Sequence, residues 1–103
     1  MAKYKFIKMA RSDKPKKKYY ALFKNKDTGR EKRVYFGAAG MSDFTKHKDT
    51  ARKARYDARH KARENWNDPL TAGYWAKRIL WNKPTISGSL SDTKSNLRSL
   101  GYL

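Results

Sequence analysis

The sequence has no cysteine, which excludes disulfides, thiolate metal sites and cysteine nucleophiles. It has two histidines, His47 and His60, far apart in the chain, whereas a zinc site normally needs three or four ligands. No Cys-His-carboxylate cluster, Gly-rich phosphate loop, G-x-S-x-G elbow or H-E-x-x-H motif occurs. Acidic residues are scarce, 9 in all, and mostly interleaved with bases. They read as ion-pair partners rather than as the clustered carboxylates that hold the ions of a two-metal nuclease. The expectation is a non-enzyme with no cofactor, no metal and no small-molecule substrate. Long apolar runs are missing too. Nothing approaches the ~20 residues of a membrane span, and the opening MAKYKFIKMARSDK is broken by lysines, unlike a signal peptide. No membrane partner is expected, and there are no internal repeats.

What is present is positive charge: 26 Lys plus Arg against 9 Asp plus Glu, a net +17 over 103 residues. Such an imbalance opposes compaction by self-repulsion and favours polyanionic partners. Three Trp, seven Tyr and four Phe accompany it. These are enough for a core, since one buried aromatic covers ~150–250 Å², and a disordered basic tail would lack them. The length fits one domain, residues 1–103. Its charge is uneven: +10 over residues 1–40, +4 over 41–66 and +3 over 67–103. The basic surface should sit on the N-terminal half, and the last third should be a packing unit.

The first third reads as strands. Tyr4 and Phe6 alternate with Lys3 and Lys5, a period of two that lapses at Ile7. The run 18–24 is β-prone on both faces, and 31–37 is a second such run. Asn25-Lys26-Asp27-Thr28-Gly29 between them reads as a turn. This predicts a hairpin, with residues 4–9 as a third strand. A helix is predicted over about 49–65, capped by Asp49 or Ser42. Its Ala51, Ala54, Ala58 and Ala62 form one stripe where another element can approach closely. Asp68 before Pro69 signals a further helix start. That helix, about 69–81 and stopped by Pro84, is apolar on more than one face, so it should be the central packing element, with Trp75 or Trp81 as anchor. A third helix is expected in the Ser-rich tail, where Leu90, Leu97 and Leu100 keep helical spacing. The fold class is α+β: a small antiparallel sheet of two to three strands followed by two to three helices.

Three basic tracts are candidate nucleic-acid contacts. Lys14, Lys16, Lys17 and Lys18 crowd a polar loop. Lys5, Lys8, Lys24, Lys32 and Arg33 lie beside Tyr and Phe, as on a strand-stacking surface. Tyr35 is expected in the core, and Tyr20 is left open between core and stacking. Arg52, Arg59 and Arg63 flank the Ala stripe. Arg55, Arg59 and Arg63 stand as like-charge i,i+4 pairs, which cost a few tenths of a kcal/mol each and suit a row of phosphates. His60, opposite the stripe with Glu64 at i+4, reads as a solvated surface histidine.

Tyr35-Phe36-Gly37, Asp43-Phe44-Thr45-Lys46-His47-Lys48-Asp49, Arg59-His60-Lys61, Trp66-Asn67-Asp68-Pro69, Thr71-Ala72-Gly73 and 79–85 together resemble a largely uncharacterised family of small basic proteins encoded by nucleocytoplasmic large DNA viruses. The resemblance spans about residues 17–97. It implies a virion or virus-factory location, in host nucleus or cytoplasm, and carries over no functional residues. In pattern alone, residues 17–37 followed by a helix are similar to the three-stranded DNA-binding domains of phage-type integrases and plant AP2 factors. The leading expectation is a nucleic-acid-binding protein that neutralises or condenses viral DNA, as in genome packaging, with DNA favoured over RNA and little sequence preference. The alternatives are a small virion component that meets acidic capsid proteins, and a ribosomal-protein-like RNA binder.

Overall fold

The computed structural model describes residues 3–63 and 65–103. Three strands, β1 (Tyr4–Arg11), β2 (Lys17–Asn25) and β3 (Glu31–Ala38), form an antiparallel sheet in that order. Four helices follow, giving an α+β fold: α1 (Phe44–His47), α2 (Thr50–His60), α3 (Ala72–Trp75), which runs on into one π-helical turn (Ala76–Leu80), and α4 (Ile86–Ser99).

The hairpin turn is held by the Asn25 side chain, whose Oδ1 accepts from the Asp27 and Thr28 amides at 2.8 and 3.0 Å. Gly29 then takes φ 74°, a left-handed conformation that glycine enters without a Cβ clash. The lapse of alternation at Ile7 is a β-bulge, since the register with β2 shifts between Phe6 and Lys8. The extra residue lets Phe6 and Met9 both serve the core, while Ile7 stays 46% exposed. The Phe6 amide donates to the Tyr102 carbonyl at 2.8 Å, so the C-terminus covers part of this edge strand.

One face of the sheet, with Phe6, Ala21, Phe23, Val34 and Phe36, packs on Tyr74, Trp75, Ile79, Leu80 and Leu97. Trp75 is the anchor. Its ring lies 5.4, 5.8 and 6.0 Å from those of Phe6, Phe36 and Phe23, and its indole N–H donates to the Pro69 carbonyl at 2.7 Å. Burial pushes the neighbouring Tyr74 hydroxyl up to about 12; it donates to Asn96 Oδ1 at 2.5 Å. Gly37, at φ 78°, lies where a Cβ would come within 2.7 Å of Leu80 Cδ1. Its missing side chain is what lets the π turn close on β3.

Several helical expectations need correction. The Asp68-Pro69 signal makes a turn, with Asp68 Oδ1 accepting from the Leu70 amide at 3.0 Å. The helix begins three residues later, at Ala72, capped by Thr71. It is not a regular helix to Trp81, because the π turn intervenes and the helical path ends at Leu80. That wider turn aims two adjacent pairs, Tyr74-Trp75 and Ile79-Leu80, into the core, which accounts for an apolar pattern too broad for one α-helical stripe. In α4 the fully buried line is Ser89, Thr93 and Leu97, while Leu100 is 40% exposed. The Thr93 hydroxyl donates to the Ser89 carbonyl at 2.7 Å, and the Ser89 hydroxyl oxygen accepts from the Lys83 amide at 3.0 Å.

Helix α2 is capped by Asp49, which accepts from the Ala51 and Arg52 amides at 3.0 and 3.2 Å. It ends at His60, short of the expected Asn65; Glu64 lies outside the described residues. Its packing face is not the Ala stripe. Ala51, Ala54, Ala58 and Ala62 are exposed, and Tyr56 is the buried residue. The Tyr56 ring stacks on Trp81 at 4.4 Å and 5° between planes. Beside it Lys77 Nζ meets Asp57 Oδ1 at 2.6 Å. Burial lowers the Lys77 pKa in spite of that carboxylate.

Candidate functional site

The helices leave the second face of the sheet open. Strand alternation and register place Lys5 and Lys8 of β1, Tyr20, Leu22 and Lys24 of β2, and Glu31, Arg33 and Tyr35 of β3 on that outer face. The four cations are exposed, while Tyr20 and Leu22 are buried beneath them. Lys5 stands directly opposite Lys24, and Lys8 opposite Leu22. Among the described residues no salt bridge ties Lys5, Lys8 or Lys24 to a carboxylate. On its other side Lys24 stands opposite Glu31 of β3, so the cost of like charges set directly across a sheet falls on the Lys5–Lys24 pair alone.

At the Arg33 edge the charges are organised. The Tyr35 hydroxyl donates to Asp13 Oδ1 at 2.7 Å, and Arg33 approaches the same carboxylate at 3.6 Å. The Tyr35 hydrogen bond, with help from the backbone and Arg33, holds the Asp13 carboxyl below its usual range. Arg33 lies over the Tyr20 ring at 4.6 Å, and Lys14 Nζ lies over the Tyr35 ring at 4.2 Å. Tyr35 is therefore a half-buried residue of the outer face and not part of the core, because its strand parity differs from that of Val34 and Phe36. Tyr20 is buried on this same face, 5.5 Å from Tyr35.

A basic trough runs along the end of the sheet. A cavity of about 430 Å³ has Arg11, Lys14, Lys17 and Lys46 on its walls. It shares Lys17 with a cleft of about 340 Å³ bounded by Trp81, Tyr56, His60 and Arg59. That cleft in turn shares Met41 and Arg59 with a hollow of about 160 Å³ lined by Arg52 and Arg55. The loop lysines and the α2 arginines, separate tracts in sequence, thus border one continuous surface.

Four expected site residues change role. Lys18 is structural: its Nζ meets Asp43 Oδ2 and the Met41 carbonyl, each at 2.5 Å. Burial alone would raise the Asp43 carboxyl, but hydrogen bonds from Lys18 and from the Thr45 hydroxyl and amide outweigh it and hold the carboxyl low. Lys32 has the parity of Val34 and Phe36 and points to the helix side of the sheet, away from Arg33. Arg63 lies in the turn after α2, outside the Arg52-Arg55-Arg59 row. Lys16 is exposed in the β1–β2 loop, yet it does not line the trough beside Lys14 and Lys17. Arg11 and Lys46 are the trough residues that sequence reasoning missed, since only the packing of three loops assembles that wall.

The histidines belong to the packing. His47 Nδ1 accepts from the Asp49 amide at 2.9 Å, with its ring 5.3 Å from Trp81. His60 is half-buried and stacks on Tyr56 at 4.2 Å, which corrects the expectation of a solvated side chain. Among the described residues no group of three or more His, Asp or Glu is placed to hold a metal ion. No helix among them is long and apolar enough to cross a membrane.

A family of unknown function, DUF5754, matches residues 7–60. The chain belongs to that family. The matched span runs from the β1 bulge to the end of α2 and includes the trough cations together with Lys8, Lys24 and Arg33 of the sheet face. Trp75, Ile79 and Leu97, which close the core, lie beyond it. Searches of curated proteins and of solved structures returned no significant match.

Proposed function

We propose that the chain is a non-enzymatic nucleic-acid-binding protein that neutralises phosphates through the open sheet face and the adjoining trough. The observation that carries this reading is the outer face itself. Lys5, Lys8, Lys24 and Arg33 stand on it together, and Glu31, opposite Lys24, is the one carboxylate that the three strands contribute. Such an excess of positive charge on one exposed face attracts phosphates. Phosphate contacts position a protein without reading bases, so little sequence preference is expected, with DNA favoured over RNA. The likeness of residues 17–97 to small basic proteins of large DNA viruses extends the proposal to a viral genome, in the virion or virus factory.

The test is fluorescence anisotropy with labelled DNA across a salt series. Log K should fall linearly with log salt, with a slope of ~0.9 per duplex phosphate contacted. A flat dependence, or no binding at low salt, rejects the proposal. A second reading, a capsid-associated protein that docks on acidic protein surfaces, draws on Met41, which is 64% exposed beside Arg52 and Arg55. Tighter capture of poly-glutamate than of DNA would select it.

A further inference from the structure

Resting on that reading, we infer that the nucleic acid this surface takes is double-helical. Proteins that hold single strands do so by offering free aromatic faces on which unpaired bases stack. Here the rings beside the basic residues already have partners. Tyr20 is 7% exposed, under the Arg33 guanidinium. Tyr35 carries Lys14 over its ring and is anchored through its hydroxyl to Asp13. In the trough, Trp81 lies flat on Tyr56, and Tyr56 stacks on His60. Tyr19 stacks on Phe36 at 5.9 Å. A base stacking on the outer face would have to displace Lys14 or Arg33, the same cations that neutralise phosphate. A single strand therefore gains stacking only by giving up charge contacts.

A duplex asks for no ring face. Its bases stay stacked, and it presents one charge per ~1.7 Å of axis to cations fixed on a rigid sheet. The cations here are held in that fashion. Lys5, Lys8 and Lys24 rise from paired strands, and Arg33 is oriented by Asp13. The wall of the trough, with Arg11, Lys17 and Lys46, supplies a second set at the end of the sheet. Tyr20 and Tyr35 thus serve as supports for Arg33 and Lys14.

The experiment compares anisotropy of the full chain with a labelled DNA duplex, an RNA duplex and oligo-dT of equal length at one salt concentration. The expected result is binding to duplex at least ~10-fold tighter than to oligo-dT. Tyr35→Phe, which keeps the ring and removes the Asp13 bond, should leave the duplex to single-strand ratio within about 2-fold, and Lys14→Gln, which bares the Tyr35 ring, should raise oligo-dT binding relative to duplex. Oligo-dT bound as tightly as duplex overturns the inference and leaves the nucleic-acid reading standing. So does a selective loss of oligo-dT binding in Tyr35→Ala, with the melting curve confirming that it is folded. Absence of binding to all three probes overturns the functional reading itself. Tight binding to the RNA duplex supports the inference while reversing the preference for DNA.

Discussion

The sheet with its covering helices and the α2 arm are built in different ways. Around Trp75 three phenylalanines, Tyr74, Ile79 and Leu97 interlock with almost no exposure. Helix α2 is tied to that body by the Tyr56–Trp81 stack and the Asp57–Lys77 ion pair, and α1 by the His47–Trp81 contact. Burying rings among rings removes large apolar areas from water, whereas a stack at the rim and one ion pair contribute far less. The lesson is that charge is displayed on two supports of unequal stiffness. The outer sheet face is fixed by its own strands, and the arginine row sits on a helix whose one buried side chain is Tyr56.

The largest expected effect comes from Trp75→Ala, which should cost ~3–5 kcal/mol, a large share of the ~5–15 kcal/mol that such domains possess. Urea unfolding followed by circular dichroism measures it, and sheet and helices should be lost together. An unchanged midpoint would remove Trp75 from its central place. Trp81, the alternative anchor on sequence grounds, is half-buried and should cost less.

Next comes Tyr56→Ala, expected to cost about 1–3 kcal/mol as an ordinary destabilising substitution. Its signature is regional. Amides of α2 should lose hydrogen-exchange protection while those of β2 keep theirs, because local openings need not involve the whole core. Equal loss in both would dissolve the contrast between the two regions.

How much of this was legible in the sequence follows the same division. The strands, their turn and the lapse of alternation at Ile7 were visible, since a period of two and its failure are local signals, while only the pairing with β2 made that lapse a bulge. The face of α2 was not. Four alanines draw the eye on a helical wheel, but one tyrosine buries more apolar surface than they do, and its partner Trp81 lies 25 residues away. Lys18 was misplaced for a like reason, because Asp43, which claims it, is equally distant in the chain. Lys5, Lys8, Lys24 and Arg33 were recognisable. The parity that separates Lys32 from Arg33 was also present in the sequence, once Val34 and Phe36 are assigned to the core.

The Lys18–Asp43 pair pins the loop before α1 to the sheet and gives a pH test. The folded-state pKa of Asp43 lies below the unfolded carboxylate value of ~3.9, as its hydrogen bonds dictate. Its contribution is therefore fully present above that unfolded value and is lost as pH falls through the folded one. Asp43→Asn should lower stability at neutral pH by about 1–3 kcal/mol and flatten the acid limb of the stability profile below about pH 4. An acid limb with the same slope in both proteins would assign it to other carboxylates.

The smallest effect on folding, and the sharpest comparison of the two supports, comes from charge reversal of exposed residues. Lys5, Lys8 and Lys24 replaced by Glu should leave the melting temperature the same or slightly lower, since residues 5 and 24 remain like-charged and residue 24 then also opposes Glu31. The triple variant therefore needs a companion, Lys5→Glu alone, in which the cross-strand pair becomes attractive and gains ~0.2–1 kcal/mol. Arg52, Arg55 and Arg59 replaced by Glu should be close to neutral for folding, as surface changes usually are. For DNA, each lost phosphate contact should lower the salt slope by ~0.9. The sheet variant should lose more affinity than the α2 variant, because the sheet cations stand on a backbone fixed by strand pairing, whereas any loosening of α2 must be reversed at an entropic cost when it binds. A larger loss in the α2 variant would mean that the arm closes on its ligand and that the stiff face serves as its backing.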